Sequence, residues 1–218
     1  MANQQKLEEL VLRLYDVKGL KFGSFTMRTG EVTPVYIDMR VIWSYPDIVR
    51  SVCDLLWDEV KRHNLEFDLM CGLPYQGIPL ASILSVQHNV PMVLKRQQKK
   101  TYGTCQSLEG HFKEGDKILL LDDVLMTGGT YVDDIPFFRE EKFNVAAGVV
   151  FFDRDQGAVD RVKRLFDVPV YSCITLTEAF KILIKAGRVT QETADKVTEY
   201  IRSNQFNTAE YMVPKSAK

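Results

Sequence analysis

The sequence lacks the features that mark membrane-spanning, secreted and zinc-binding proteins. No apolar run approaches the roughly 20 residues that a transmembrane helix needs, and the N-terminal stretch MANQQKLEEL has no signal-peptide core. The four cysteines form no C-x-x-C pair, and the three histidines do not cluster near them. These absences argue against a membrane partner and a structural zinc site, and they favour reduced thiols in a cytoplasmic protein.

Strong charge of either sign is also missing. The 218 residues carry a formal net charge of −1, so no basic excess predicts binding to nucleic acid. With 45% hydrophobic and 26% charged residues, the chain has the composition of an ordinary globular protein. Its length suits one domain, or one domain with a small appendage.

Short apolar strands alternate with amphipathic helices along the chain. We predict strands at 65–75, 90–96, 117–121, 145–152 and 169–172, and helices at 3–16, 46–61, 78–86, 175–185 and 190–203. Continuous apolar strands are typical of a parallel sheet that helices cover on both faces. Such sheets bind ligands at the carboxyl ends of their strands. Residues 97–110 contain almost no aliphatic side chains, which predicts a long polar loop.

The stretch LLLDDVLMTGGTY, residues 119–131, joins an apolar strand to two adjacent acids and a glycine-rich turn. Burying Asp122 or Asp123 without a partner would be costly, so these carboxylates need hydroxyl donors, a cation or water. The side-chain-poor run from Thr127 to Thr130 leaves backbone N–H groups free to converge, as in a phosphate cradle. A sugar phosphate suits both parts of the stretch, because its hydroxyls can donate to the acids and its phosphate can bind the turn. The structural alternative is a tight turn with solvated acids, and the sequence has neither a G-x-G-x-x-G motif nor a complete Walker motif.

This stretch resembles the phosphoribosyl-pyrophosphate signature of the type I phosphoribosyltransferases. Together with KFGSFTMRTGEVTPVYIDMR, CGLPYQGIPLA, KRQQKKTYGTCQSLEG and FFDRDQGA, it occurs in the order and spacing of orotate phosphoribosyltransferases. The chain is most similar to the first domain of the eukaryotic bifunctional uridine monophosphate synthases, over about residues 7–206.

The resemblance implies an α/β fold, the type I phosphoribosyltransferase fold, in which helices flank a central, mostly parallel sheet beneath a small N-terminal hood. It implies one domain over residues 1–206. The hood would come mainly from about residues 1–45 and the C-terminal helices, and residues 207–218 would form a disordered tail.

The resemblance also implies a reaction in pyrimidine nucleotide biosynthesis. The phosphoribosyl group of phosphoribosyl pyrophosphate would pass to orotate, giving orotidine 5′-monophosphate and pyrophosphate. Asp122 and Asp123 would hold the ribose hydroxyls and, with Lys100, act in catalysis. The phosphoribosyl-pyrophosphate site would further comprise Tyr75, Gln76, Arg96, Gln97, Tyr102, Thr127, Gly128, Gly129 and Thr130. Mg²⁺ would be bound mainly by oxygens of the substrate and of water.

For the base, the resemblance implies a site formed by Arg28, Tyr36, Ile37, Met126 and Arg154. Arg154 would grip the orotate carboxylate, whereas the residues alone also allow an ion pair with Asp153 or Asp155. The loop 97–110 would cross to the active site of a neighbouring subunit, which implies a homodimer. Without the resemblance, a solvated surface loop is the simpler interpretation.

Several positions depart from the family pattern. Arg28 and Gln97 stand where the family has lysines, and Gln76 replaces a lysine common in bacterial members. Met126 stands where orotate enzymes usually have a threonine, and a thioether cannot donate a hydrogen bond. These changes leave three hypotheses: an orotate enzyme, a transferase for another base, and a non-catalytic regulatory protein that binds phosphoribosyl pyrophosphate.

Pro136 lies where a helix should follow the phosphate cradle. A proline inside a helix costs about 3 kcal/mol. We therefore predict that this helix begins late, with Asp133 or Asp134 as its N-cap and Pro136 in its first turn.

Overall fold

The computed structural model describes residues 2–26, 32–96 and 107–207. The helices are α1 (Ala2–Asp16), α2 (Pro46–Arg62), α3 (Gly77–His88), α4 (Gly129–Glu140), α5 (Ala158–Phe166), α6 (Leu176–Lys185) and α7 (Gln191–Ser203), and a 3-10 helix spans Met39–Ser44. The strands are β1 (Leu20–Thr26), β2 (Val32–Ile37), β3 (Leu69–Gly72), β4 (Met92–Lys95), β5 (Leu108–Glu109), β6 (Lys117–Leu125), β7 (Asn144–Asp153) and β8 (Val170–Thr175). None of the helices in these ranges has the length and apolar content that crossing a bilayer requires.

Six of the strands form one sheet in the order β5–β4–β3–β6–β7–β8. The strands from β4 to β8 in this order are parallel to their neighbours, and the two-residue β5 pairs antiparallel with β4 at the edge. Helices pack on both faces, so the predicted α/β class with a mostly parallel sheet is confirmed. Strands β1 and β2 form a separate antiparallel pair.

The central strand β6 divides the core into two halves. Leu119 and Leu121 pack in the cluster with α1, α2, α3, α6 and α7, whereas Ile118 and Leu120 pack on the other face with α4 and α5. All four side chains are fully buried. A strand that is covered on both faces is apolar at every position, which is why its sequence shows no alternation.

Two contacts place the β1–β2 pair and the 3-10 helix at the carboxyl end of the large sheet. The Oγ1 of Thr33 lies 3.3 Å from a guanidinium nitrogen of Arg154, and the indole nitrogen of Trp43 lies 2.5 Å from the side-chain oxygen of Gln76. This is the position expected of a hood. The bounds of the domain, 1–206, stay a prediction, and the predicted tail lies outside the described residues from residue 208 onward.

The predicted late start of α4 is wrong. The helix begins at Gly129, with Gly128 as its N-cap in a left-handed conformation (φ 72°), and Pro136 lies in its interior. Neither Asp133 nor Asp134 caps the helix, because both lie in its second turn and Asp134 is buried. Packing of the apolar side chains of α4 into the core offsets the cost of the proline.

Other predicted bounds also change. Strand β6 extends to Leu125, so the two acids belong to the strand, and β3 occupies only the middle of the strand predicted at 65–75. The end of the predicted loop 97–110 is not a loop, because Leu108–Glu109 forms β5. Helix α5 was not predicted. It has nine residues, four of them charged, and it directly follows a polar loop. Its apolar residues are therefore too few to show a helical period.

Replacing Pro136 with alanine should stabilise the protein. Pro136 is exposed and cannot donate a hydrogen bond to the carbonyl of Val132, whereas alanine can donate and has the higher helix propensity. We expect the free energy of unfolding, measured by urea denaturation, to rise by about 1–2 kcal/mol. The exposed control Glu140→Ala on the same helix should change it by less than about 0.5 kcal/mol. A Pro136→Ala variant no more stable than the wild type would contradict this account of α4.

Candidate active site

The predicted site residues meet where β3, β6 and β7 end. These strands are neighbours and run parallel, so their carboxyl ends open onto one edge of the sheet. Gln76 follows β3, the acid pair lies near the end of β6, and Arg154 follows β7. The sheet topology therefore brings together side chains from three separate motifs.

Asp122 and Asp123 form an acid pair in which Asp122 is buried and Asp123 is half-buried. Asp122 is 7% exposed, and its Oδ1 accepts a hydrogen bond from the backbone N–H of Asp123 at 2.9 Å. Burial raises the pKa of Asp122 well above its usual range, and the negative charge of Asp123 raises it further. Burial also raises the pKa of Asp123, although the positive charge of Arg40 is among the influences that oppose this. Donated hydrogen bonds or a cation would stabilise the ionised pair, which suits sugar hydroxyls or a metal ion.

The turn from Thr127 to Thr130 has the geometry of an anion cradle. Gly128 has φ 72°, which side chains rarely allow, and the Oγ1 of Thr127 accepts a hydrogen bond from the N–H of Gly129 at 3.1 Å. Because α4 begins here, the N–H groups of its first turn and its dipole favour a negative group. Arg161 on α5 supports the turn by donating to the carbonyl of Thr127 at 2.7 Å.

Close packing of the backbone fixes the loop that follows β3. A Cβ at Gly72 would lie 2.1 Å from the carbonyl oxygen of Gly77, and a Cβ at Gly77 would lie 2.3 Å from that of Leu121. Only glycine fits at both positions. Within this loop, the Oε1 of Gln76 accepts a hydrogen bond from the indole N–H of Trp43 at 2.5 Å. Because an indole N–H can only donate, this bond turns the donating Nε2 of Gln76 away from Trp43.

Arg154 is a buried cation at the end of β7. It is 4% exposed, its Nη1 lies 2.9 Å from the sulfur of Met126, and its Nη2 donates to the Oγ1 of Thr33 at 3.3 Å. The Oδ1 of the adjacent Asp153 accepts a hydrogen bond from the N–H of Asp155 at 3.0 Å. The contacts with Met126 and Thr33 orient the guanidinium group, which is able to make bidentate hydrogen bonds to a planar anion.

The hood residues predicted to cover the base are partly engaged elsewhere. Tyr36 accepts a hydrogen bond from Arg40 at 2.9 Å, and Ile37 is half-buried against the larger core cluster. Tyr75, predicted to lie against pyrophosphate, is 68% exposed. Arg40, which the sequence did not single out, links Tyr36 to the neighbourhood of the acid pair.

Strand β4 ends in two cations with acidic partners. Arg96, predicted to bind pyrophosphate, pairs with Glu109 on β5, and Lys95 pairs with Asp134 on α4. Burial raises the pKa of Asp134, and the hydrogen bond and charge of Lys95 oppose this shift. The second pair ties β4 to the helix that begins at the anion cradle.

Four predicted site residues lie outside the described residues: Arg28, Gln97, Lys100 and Tyr102. The same holds for residues 97–106 of the predicted crossing loop. Among the described residues, no three acids, histidines or cysteines group together in a way that could hold a metal ion.

Sequence reasoning missed four residues that support the site: Thr33, Trp43, Lys95 and Arg161. Thr33 and Lys95 lie within the recognised motifs but were given no role, and Trp43 and Arg161 lie outside them. Each of the four has a partner between 33 and 121 residues away. Contacts of this kind depend on the tertiary fold, so local patterns do not report them.

The family of the chain emerges from comparison with known sequences. The profile of a phosphoribosyl transferase domain matches residues 42–183. The chain is 31% identical over 188 residues to the orotate phosphoribosyltransferase of Caenorhabditis elegans, covering 86% of this chain and 82% of that protein. It is 36% identical over 203 residues to the uridine 5′-monophosphate synthase of Bos taurus, covering 93% of this chain and 42% of that protein. It thus spans less than half the length of the bovine relative.

Solved structures show the same architecture. The structure of Leishmania donovani UMP synthase aligns with a TM-score of 0.80 at 32% identity, covering 90% of this chain and 42% of that one. The orotate phosphoribosyltransferase of Aeropyrum pernix aligns with a TM-score of 0.68 at 26% identity, covering 82% and 99%. These matches confirm the resemblance and the fold that the motifs predicted.

The acid at the end of β7 should make stability depend on pH. Burial raises the pKa of Asp153 from its ordinary 3.8 to about 6. Between these values the folded protein holds a proton that the unfolded chain has released, so stability falls as pH rises through this window. Asp153→Asn removes the effect and should be more stable than the wild type by up to about 3 kcal/mol at pH 7.5, but not at pH 3.5, by urea denaturation.

Asp195→Asn, at an exposed position on α7, is the control and should show no such pH-dependent gain. If Asp153→Asn and the wild type are equally stable at pH 7.5, ionisation of the buried Asp153 carboxyl does not lower the free energy of unfolding as expected.

Proposed function

We propose, because the chain belongs to the phosphoribosyl transferase domain family, that it transfers the phosphoribosyl group of phosphoribosyl pyrophosphate to orotate. The products would be orotidine 5′-monophosphate and pyrophosphate, in pyrimidine nucleotide biosynthesis. The observation that carries the proposal is the convergence of three chemistries at one sheet edge: a largely buried acid pair, an anion cradle and a buried arginine. They supply separate places for a sugar, its phosphate and an acidic base.

The acid pair and the cradle suit the phosphoribosyl group. Asp122 and Asp123 would accept hydrogen bonds from the ribose 2′- and 3′-hydroxyls, which would offset the cost of burying two carboxylates. The backbone from Thr127 to Thr130, at the start of α4, would hold the 5′-phosphate. Because both halves belong to one continuous stretch, the distance between the sugar and phosphate sites is fixed by the backbone.

Arg154 suits the carboxylate that distinguishes orotate from simpler pyrimidines. A buried guanidinium group binds a carboxylate strongly, because two parallel hydrogen bonds form in a poorly solvated site. Arg28, Tyr36 and Ile37 would cover the ring of the base, a role that rests on the resemblance alone. With the 5′-phosphate held at the cradle and the carboxylate held at Arg154, the ring nitrogen of the base and C1 of the ribose would lie close together. This is catalysis by positioning.

The leaving pyrophosphate needs donors and positive charge, because negative charge grows on it as the bond to C1 breaks. The Nε2 of Gln76, turned away from Trp43, is a suitable donor in the loop after β3. Arg96 could serve if pyrophosphate displaces Glu109 from its ion pair. The remaining assignments to this site rest on the resemblance: Tyr75, Gln97, Lys100 and Tyr102.

Mg²⁺ is the expected cofactor, and the residues present fit it. The described part of the chain contains no group of three metal-ligating side chains. Mg²⁺ at phosphate sites usually keeps several waters and takes most of its other ligands from substrate oxygens, so it does not need such a group on the protein side. When bound, the ion would neutralise part of the charge of the pyrophosphate.

Met126 favours one alternative, a transferase for a different base. Its sulfur lies 2.9 Å from Arg154, so it belongs to the end of the site where the base would bind. A thioether offers no hydrogen-bond donor to a base carbonyl, which weakens one reason for preferring orotate.

Helix α3 supports a homodimer. The helix is apolar on nearly all sides, which is typical of a buried helix, yet Val86 is 85% exposed on it. The next strand, β4, also exposes Leu94 and leads into the loop predicted to cross between subunits. We therefore propose that a second copy of the chain covers this face and brings its loop 97–110 to the first copy's site.

The state of the cysteines supports a cytoplasmic location. Cys53, Cys71 and Cys173 are free thiols. Burial raises the pKa of Cys53 and of Cys71 to about 12, so neither is a reactive thiolate at neutral pH. Unpaired thiols suit a reducing compartment.

The proposed reaction is tested by measuring pyrophosphate release from phosphoribosyl pyrophosphate, with Mg²⁺ present and a panel of bases as acceptors. We expect orotate to give a kcat/KM at least about 100-fold above uracil, because only orotate offers a carboxylate to Arg154. Arg154→Gln should lose most of this preference. Met126→Thr should keep it, and Met126→Leu, which keeps bulk without sulfur, is the matched control.

Two results would replace the proposal. Faster turnover with another base would establish the alternative that Met126 favours. Tight binding of phosphoribosyl pyrophosphate by calorimetry, with no turnover by either the wild type or Met126→Thr, would indicate a regulatory protein that does no chemistry.

The dimer is tested by placing a charge on its proposed interface. Val86→Glu should convert a dimer into a monomer in sedimentation velocity, because a carboxylate cannot be buried without a partner. Val32→Glu makes the same change at another exposed valine, on β2, and should leave the dimer intact. A dimer that withstands Val86→Glu would use a different surface.

A further inference from the structure

Residues 204–207, which follow α7, bind the loop between β7 and α5; we call them the C-terminal clamp. The N–H of Phe206 donates to the carbonyl of Gln156 at 2.7 Å. The Nε2 of Gln205 donates to the carbonyl of Asp155 at 3.0 Å and to a carbonyl of α7 at 2.7 Å. The clamp therefore joins the end of α7 to the backbone of the loop.

The loop contributes contacts of its own. Gln156 is 1% exposed, and its Nε2 donates to the carbonyl of Asn204 at 2.8 Å. Gly157 has φ 78°, and a Cβ there would lie 2.7 Å from the side chain of Asn207. Asp155 and Gln156 thus accept hydrogen bonds from the clamp through their backbone carbonyls. Gly157 leaves room for the clamp because it has no side chain.

Arg154 itself lies between two supports. Its N–H donates to the carbonyl of Leu125 at the end of β6, which fixes its backbone on one side. The clamp fixes the residues that follow it, on the other side. The clamp lies beyond residue 183, where the match to the phosphoribosyl transferase profile ends, so it is separate from the part of the chain that carries the phosphate chemistry.

We propose that the C-terminal clamp is a positioning element that sets the base site through Arg154. The proposal rests on the proposed function, in which Arg154 binds the carboxylate of the base. A guanidinium group grips a carboxylate with two bonds only when its orientation is held closely, and a loop between a strand and a nine-residue helix needs external support for that. The clamp should therefore control affinity for the base and leave the phosphoribosyl half of the site unchanged.

Gln205→Ala removes the side-chain bonds of the clamp and tests the proposal. We expect the KM for orotate to rise about 5- to 10-fold, with kcat and the KM for phosphoribosyl pyrophosphate within about twofold of the wild type. Combined with Arg154→Gln, the same change should add nothing to the KM for orotate, because the clamp acts through Arg154. Arg202→Ala, which removes an exposed ion pair with Glu199 on α7, is the control and should change none of these values.

Hydrogen exchange supplies a readout that does not depend on turnover. Amides of residues 155–157 should exchange faster in Gln205→Ala than in the wild type, and those of the cradle should not. Unchanged exchange, or faster exchange with an unchanged KM for orotate, would overturn the positioning role. If the wild type does not turn over orotate, the proposed function has failed. The affinity for orotate, measured by calorimetry, then replaces KM in the same comparison. An affinity that Gln205→Ala does not change would overturn the positioning role of the clamp.

Discussion

The desolvation of two adjacent carboxylates at the end of β6 is the constraint on which the rest of the site depends. β6 is buried on both faces, so Asp122 and Asp123 enter an environment that raises the pKa of each. An arrangement of this kind lowers the stability of the empty protein, and a ligand that donates hydrogen bonds to the pair recovers what was lost. This costly feature of the fold is therefore also one that a ligand with hydrogen-bond donors, or a cation, would complete.

The other parts of the site are arranged around that strand by topology. β3 and β7 flank β6 in the sheet, so the loop with Gln76 lies on one side of the acids and Arg154 lies on the other. The anion cradle continues directly from the strand. Because each part is anchored to the same central strand, the distances between them are set by the sheet spacing and not by flexible side chains.

Much of this was predictable from the sequence, and the failures have a common cause. Continuous apolar runs predicted the parallel sheet, and the acid pair with its glycine turn predicted a candidate site at the carboxyl end of β6, because both patterns are local in the sequence. The predicted start of α4 was wrong because packing outweighed the local rule about Pro136, and because Asp134 on the helix has its partner, Lys95, on strand β4. Thr33 and Trp43 could not be found for the same reason: their partners are distant along the chain.

Met126 shows how such a distant contact changes the meaning of a substitution. As a motif residue it only lacks a hydroxyl, but in the fold its sulfur contacts Arg154, which also contacts Thr33. Both are neutral groups, so these two contacts orient the guanidinium without placing a further negative charge beside it. Met126 is accordingly a structural support for Arg154 as well as a position that lacks a hydroxyl.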